Sequence, residues 1–452
     1  MVEIKMDLGA EEIISVLEKN GYEAYAVGGC VRDCLMGKTP DDWDITTSAL
    51  PQKVCEIFSY LEVIPTGIKH GTVTVRLNGK NYEITTFRTE GEYLDSRRPE
   101  KVDFVSSIEE DLKRRDFTVN AMAYSKKRGL IDLYGGLDDL NGKIIRTVGE
   151  PKDRFLEDSL RILRGARFCS KLGFKIEEKT LFEMENLSQN LKKVSSERVF
   201  AELNKLLVGE YVKDALLTCH KVIFAVIPEL ERCYGFNQRS KWHKYDVYTH
   251  TVTAVSSIEN DFLLRFTMLM HDVGKPDKFF VRNGEGHFYG HPKRSAEITE
   301  KVLKRLKAPV DFSRETLFLV EFHDKVIPID RKRVKKELSL IGKERFFNLI
   351  KVKLADGKGQ ATDLASEEIE KTVKVKELAE DIIKSGECYK IEDLKIDGND
   401  VKNAGFCGKE IGAVLNSVLK DVIDGNLEND RESILKSVLK RREKLSKSRR
   451  ID

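Results

Sequence analysis

Two aspartates flanking a tryptophan, Asp42 and Asp44 in DDWDITTSA, are placed to hold a divalent cation. In an extended segment, positions i and i+2 share a face, so both carboxylates point the same way. Close carboxylates raise each other's proton affinity unless a cation lies between them. Magnesium takes oxygen ligands, commonly one or two carboxylates together with substrate phosphates. The pair reads equally as the solvated, acidic start of a strand, with Asp42 a turn residue after Pro40-Asp41. A short way upstream, Gly28-Gly29 separates a strand-like run from a helical one. Glycines there let backbone N–H groups approach a phosphate. Arg32 could swing its guanidinium back toward the same anion after one helical turn. An ordinary tight turn would use the same glycines, but a triphosphate is what the Asp42/Asp44 pair would need.

A second group lies in EDSLRILRGARF. Read as a helix, it makes Asp158 and Arg161 neighbours at i and i+3. Ionised Asp only accepts hydrogen bonds and Arg only donates them. Cytosine and adenine both offer an amino donor beside a ring-nitrogen acceptor; uracil and guanine present the opposite polarity. An Asp/Arg edge would therefore admit CTP and ATP and leave buried groups unpaired with UTP or GTP, at roughly 1–3 kcal/mol per lost bond. Arg164 and Arg167 extend the same face. The stretch also suits the wet side of an amphipathic helix with ordinary salt bridges. Glu197-Arg198 in VSSERVFAEL reads as a buried structural pair.

Six of the eight histidines fall between 243 and 323: His243, His250, His271, His287, His291 and His323. His271-Asp272 follows the apolar helix FLLRFTMLM, YDVYTHT puts His250 in an earlier helix, and LADGKGQ carries Asp356. Imidazoles and carboxylates suit a transition metal or magnesium, with positions left for water and a phosphoryl oxygen.

The elements that must position these groups change character along the chain. Before about residue 150, strand patterns dominate: YEAYAV, WDITT, and GTVTVRL with NYEITTF around Asn78-Gly79, a two-residue hairpin signal. Afterwards the apolar period becomes helical. Weak boundaries fall near Gly149-Glu150-Pro151, Tyr234-Gly235-Phe236 and Asp356-Gly357-Lys358-Gly359. With 452 residues, the chain can bury a large core in about three domains. Its 78 Lys+Arg against 75 Asp+Glu leave +3, so any nucleic-acid-binding surface must be local. Mean hydropathy is −0.39, no run approaches the ~18 apolar residues of a membrane span, and MVEIKMDLGAEEII lacks a signal-peptide core. The eight cysteines include no CxxC, which argues against zinc fingers and for reduced thiols in the cytoplasm.

GGCVRD followed by DDWDITTSA resembles the opening motif of the class II nucleotidyltransferases, the tRNA CCA-adding enzymes and bacterial poly(A) polymerases. PTGIKHGTVTV, YLDSRRPEKVDF, KRRDFTVNAMAY, FLEDSLRILRGARF and VSSERVFAEL resemble their later motifs, in order. The resemblance implies an α/β, polymerase-beta-like nucleotidyltransferase head (1–148), a helical neck with a nucleotide-selecting helix (149–232), an HD domain (233–365) and a helical tRNA-binding tail (366–452). It implies Mg2+ at Asp42 and Asp44. Nucleotide contacts would come from Gly28, Gly29, Arg32, Arg115, Asp116, Asp158, Arg161, Arg164 and Arg167, with Asp95 and Arg97 in a loop that accommodates ATP. The order His250, His271-Asp272, Asp356 resembles the HD superfamily of metal-dependent phosphohydrolases and implies a second divalent metal. IDGNDVKNAGFCGKEIGAVL, with Gly398, Gly405, Gly408 and Gly412, resembles the tail of HD-containing CCA-adding enzymes. The basic end (Lys440, Arg441, Arg442, Lys444, Lys447, Arg449, Arg450) either is solvated or meets tRNA backbone. The implied activity is template-independent addition of CCA to tRNA from CTP and ATP, with no membrane partner. An A-adding enzyme or a poly(A) polymerase would share the head. An HD phosphohydrolase acting on RNA ends, with a vestigial head, is the alternative of another class.

Overall fold

The computed structural model describes residues 4–90 and 102–448. It divides into two compact units, Met1–Glu231 with Lys304–Ala308, and Arg232–Leu303 with Pro309–Asp452.

The first unit opens on a seven-stranded mixed sheet. Its order is Glu62–Gly67, Thr72–Leu77, Lys80–Thr86, Asp44–Thr47, Ala24–Val27, Met122–Ser125 and Gly129–Asp132. The interior strand Ala24–Val27 is buried throughout, as a strand covered on both faces must be. Asn78 and Gly79 both take left-handed φ (52° and 77°), the conformation a two-residue primed turn requires, so the expected hairpin is present. Asp44–Thr47 runs parallel to Lys80–Thr86, which sets Asp44 opposite Glu83.

Helices follow, as the change in apolar period predicts. Leu160–Leu172 packs on Ser196–Leu207 through buried Leu163, Ala166, Leu203 and Leu206. Phe117, wholly buried at the end of the sheet region, meets Phe168 of the first of these helices edge-on at 5.6 Å. Gly165 makes room beside them, since a Cβ there would lie 3.0 Å from Met184 Sδ and 3.2 Å from Phe117. The sheet and the helices after it thus share one apolar seam.

One helix expected from periodicity is two. EDSLRILRGARF breaks between Pro151–Glu157 and Leu160–Leu172, with Asp158 extended at φ −138°, ψ 103°. Its carboxylate accepts from Leu160 N at 3.0 Å, so the side chain competes with helical backbone for a donor.

The second unit is helical apart from the hairpin Phe280–Arg282/Glu285–His287. Val247–Ser257, Phe262–Met270, Val310–Phe322 and Lys343–Gln360 form one packed group. The boundary expected at Asp356–Gly359 is absent: those residues lie inside Lys343–Gln360. Their glycines are packing positions, because a Cβ on Gly359 would sit 3.0 Å from His250 Nδ1 and one on Gly357 2.7 Å from Ile369. Near the C-terminus, Val401, Phe406, Val418, Ile434 and Val438 build a separate small core. Among the described residues, no helix is long and apolar enough to cross a membrane.

Candidate active site and metal centre

Asp44 begins its strand, while Asp42 stands in the bend before it, outside the extended segment expected for the pair. Alternation nevertheless persists: Asp42 and Asp44 are exposed, Trp43 and Ile45 buried. Although the residue keeps an open surface, protein packed around the Asp44 carboxyl strips part of its hydration. That loss, with the Asp42 charge and a smaller push from Glu83, drives it up to about 6 against the pull of Arg115. Glu83 escaped the sequence reading, since its place beside Asp44 depends on a parallel pairing between distant segments.

The Gly28-Gly29 turn serves differently from the expectation. Gly28 N–H already donates to Met122 O at 3.1 Å. Its value is conformational: at φ 79°, ψ −127° it adopts a shape L side chains rarely reach, and a Cβ would lie 3.0 Å from Arg115 Nη1. Arg32 folds back as predicted, its Nη2 3.6 Å from where a Gly29 Cβ would be. Arg115 is steadied by Asp111 at 3.3 Å, and buried Asp111 also binds Arg114 and the Thr46 hydroxyl.

Behind this turn runs a chain of hydrogen bonds. Arg32 binds Asp33 and donates to Asn120 Oδ1 at 2.5 Å; Asn120 Nδ2 donates to Asp116; Arg164 grips Asp116 at 2.6 Å. Burial alone would raise the Asp116 carboxyl, but Arg164 and Arg161 outweigh it and hold it at about 2. Arg167 pairs with Glu202 at 3.2 Å. Arg32, Arg164 and Arg167 stand around the Phe168 ring, 5.6, 5.7 and 4.3 Å from its centroid. Such crowding of cations suits an anion of several charges.

Asp158 and Arg161 are not joined as a helix face. Asp158 pairs with Arg198 at 2.8 Å, whereas Arg161 donates to Glu157 at 2.6 Å and to Arg114 O at 2.8 Å. The kink at Asp158 is the cause: its carbonyl still accepts from Arg161 N–H at 2.9 Å, but its carboxylate turns to Leu160 N–H and Arg198. The expected Glu197-Arg198 buried pair is also corrected: Glu197 is exposed and binds Lys307, and Arg198 serves Asp158. Asp95 and Arg97 lie outside the described residues.

In the second unit, His250, His271, Asp272 and Asp356 converge as the resemblance implies, with ligand atoms mutually within 4.8 Å. A second group shares Asp272 and adds His291 and His323. Asp272 Oδ2 is 3.1 Å from His250 Nε2 and 3.2 Å from His271 Nε2; Oδ1 is 3.2 Å from His291 Nε2. Three Nδ1 atoms face backbone carbonyls: His271 to Met268, His291 to Phe288, His323 to Val320. A carbonyl only accepts, so each ring carries a proton on Nδ1 and turns its Nε2 inward, as metal-binding histidines do. Burial would lower His271, but the Asp272 and Asp356 charges push it up to about 10; the cluster takes up a proton where a cation would fit. Lys275 Nζ, 2.6 Å from Asp272, is held by Gln238 and His243.

Of the tail residues, Gly405 and Gly408 take positive φ and Gly398 and Gly412 lie in helices. Part of the basic end is committed within the fold: Arg441 binds Asp421, and Arg442 lies 5.4 Å over Phe406. Arg449 and Arg450 fall outside the described residues.

Residues 24–146 match the "Poly A polymerase head domain" family, 173–233 the "Probable RNA and SrmB- binding site of polymerase A", and 293–438 "tRNA nucleotidyltransferase domain 2". A CCA-adding enzyme of Streptococcus suis is 35% identical over 435 residues, covering 94% of this chain and 95% of that protein. The CCA-adding enzyme of Bacillus stearothermophilus in complex with CTP superposes with a TM-score of 0.69 at 28% identity, covering 98% of this chain and all of that one. The fold also matches the Thermotoga maritima CCA-adding enzyme complexed with tRNA-CCA, with a TM-score of 0.60 at 21% identity and 96% of each chain covered.

The Asp116–Arg164 pair has a pH signature. Its carboxyl is depressed from an ordinary 3.8 to about 2, so its stabilisation is complete above pH 4 and lost as pH falls from 4 to 2. Urea unfolding should show roughly 2 kcal/mol lost over that window through this group. Arg164→Gln should remove that loss and cost about 3 kcal/mol at pH 7; a variant with the wild-type pH profile would contradict the pairing.

Proposed function

We propose, for a chain that belongs to the family of CCA-adding enzymes, that it adds C, C and A to the 3′ end of tRNA from CTP and ATP without a nucleic-acid template. The observation that carries the reading is the meeting of Asp42, Asp44, Gly28, Arg32 and Arg115 in the head of a chain with that ancestry. In each round the tRNA 3′-oxygen bonds to the α-phosphorus. The bond to the β-phosphate bridging oxygen breaks, pyrophosphate leaves with the electron pair, and the hydroxyl proton passes to water. Working divisions are the head 1–148, neck 149–232, HD span 233–365 and tail 366–452.

The raised Asp44 carboxyl fits a cation between it and Asp42, and these two residues would hold Mg2+. When bound, Mg2+ neutralises triphosphate charge and acidifies the attacking hydroxyl. The chain's own residues do the positioning. Arg32 and Arg115 hold the phosphates against the Gly28 turn, and Asp116 orients Arg164 beside the nucleotide. Arg167, two turns along from Arg161, closes the cationic side. Asp158 and Arg161 would read the base edge by exchanging Arg198 and Glu157 for cytosine or adenine. Asp95 and Arg97 would act in the addition of A. Phosphoryl transfer relies mainly on placement and charge, so no protein nucleophile is needed. Eight free cysteines suit a reducing cytoplasm, where tRNA is met.

The His/Asp cluster favours a second activity, hydrolysis of a phosphate ester at an RNA 3′ end. Both Asp272 oxygens are buried without a well-directed hydrogen-bond donor, and the surrounding Nε2 atoms turn inward, so the residues fit divalent cations once the His271 proton is displaced. His250, His271, Asp272 and Asp356 would hold one, and Asp272, His291 and His323 a second. Metals there supply an activated water and charge neutralisation. In hydrolysis the water oxygen bonds to phosphorus, one P–O ester bond breaks, and the departing alkoxide takes the proton. Lys275, fixed by Gln238 and His243, is the cation on hand for a phosphoryl oxygen.

Incubation with tRNA lacking CCA should give CTP and then ATP incorporation that stops after three nucleotides; ATP use alone, or open-ended A tails, would replace this reading with an A-adding enzyme or a polymerase. Asp44→Asn should cut incorporation by about a thousandfold while sparing any phosphatase, and Asp158→Ala should admit UTP or GTP at least about tenfold better. Wild-type behaviour of either variant would refute the role assigned to that residue. Metal analysis should find two ions in the HD cluster and one after His291→Ala; unchanged content would refute the shared-Asp272 arrangement.

A further inference from the structure

Beside the buried cluster stands a set of aromatic rings that neither activity above uses. Phe280 and His287 are cross-strand partners in the hairpin, stacked at 5.4 Å and 28°. Tyr289, beyond the hairpin, stacks on His287 at 5.5 Å and 22° and lies 5.6 Å from Phe280. The first pair is what any hairpin gains from aromatic residues. Tyr289 is not so explained: it pairs with no strand, and it is 70% exposed, Phe280 41%. An exposed ring that prolongs a stack offers an open π-face.

The platform is fixed relative to the metal-ligand cluster. Tyr289 is two residues before His291, whose Nδ1 is held by Phe288 O. Gly286 N–H donates to Arg239 O at 2.8 Å, and a Cβ on Gly286 would fall 2.1 Å from Gln238 O, so the hairpin lies directly on the segment that carries Gln238 and His243. That segment holds Lys275 against Asp272. Lys278 and Arg282, both exposed, lie two residues before and after Phe280, and Lys241 reaches the hairpin through Glu285 at 3.6 Å. Open rings among cations, next to residues that suit phosphate chemistry, match a nucleotide: base on the ring, phosphate toward the cluster.

We infer that the Phe280–His287–Tyr289 platform stacks the terminal base of a single-stranded RNA 3′ end and so delivers its phosphate to the His/Asp cluster. This rests on the phosphohydrolase reading and adds the residues that recognise its substrate: rings that bind the base rather than the phosphate ester. Stacking tolerates all bases, so the platform selects for the presence of a base and not for its identity.

The test uses the full chain in two arms. In the first, manganese-loaded protein is given cytidine 2′,3′-cyclic phosphate or the base-free methyl riboside 2′,3′-cyclic phosphate. Tyr289→Ala and Phe280→Ala should raise KM for the nucleotide about tenfold, leave the base-free ester unchanged, and be rescued by Tyr289→Phe. In the second, metal-free protein is photocrosslinked to a short RNA ending in 5-iodocytidine, and the adducts are mapped by mass spectrometry; Tyr289 or Phe280 should carry them. Equal KM changes for both esters, or adducts confined to other segments, would overturn the platform. If wild-type protein hydrolyses neither ester, the phosphohydrolase reading fails, and the crosslink map alone still decides whether the rings bind RNA; adducts elsewhere would then overturn that as well.

Discussion

Incomplete charge neutralisation organises the catalytic head. Asp42, Asp44 and Glu83 crowd one side, and the Asp44 carboxyl answers by rising to about 6. Arg32, Arg164 and Arg167 crowd the other around Phe168. Arg115, against Gly28, stands between the two sides. The carboxylate side suits a cation and the crowded guanidinium side suits an anion, the two charges that a metal-bound nucleoside triphosphate would carry. The fold carries this strain because Asp111, Asp116, Asn120 and Glu202 tie the arginines down individually, and the Phe117–Phe168 seam joins the sheet to the helix that bears two of them.

The second unit repeats the principle with buried groups. Imidazole Nε2 atoms turned inward and a carboxylate shared between two groups make a buried polar cluster that protein groups alone satisfy poorly. A proton held by His271 partly compensates. One chain thus holds two clusters of opposed charge: one open and lined by arginine, the other buried and lined by histidine.

Local chemistry was legible in the sequence, and partner choice was not. Asn78-Gly79 announced its hairpin because few residue pairs accept two left-handed conformations, and the turn at Gly28 was marked by adjacent glycines. Motif order anticipated that His250, His271, Asp272 and Asp356 converge. The kink at Asp158 was hidden, since no glycine or proline marks it and the carboxylate makes the break by capping the next helix. Gly357 and Gly359 suggested a boundary because an exposed glycine breaks helices, whereas here they allow close packing on Ile369 and His250. Glu83, the Asp158–Arg198 pair and the addition of His291 and His323 all depend on contacts between distant segments, and periodicity has no access to these.

The direct measurement is anomalous diffraction at the manganese edge from crystals grown with Mn2+ and a non-hydrolysable CTP analogue. The account predicts manganese bound jointly by the Asp42 and Asp44 carboxylates, with the triphosphate against Arg32 and Arg115 at the Gly28 turn. A nucleotide seated elsewhere in the head, or the two carboxylates turned apart with no ion shared between them, would contradict it.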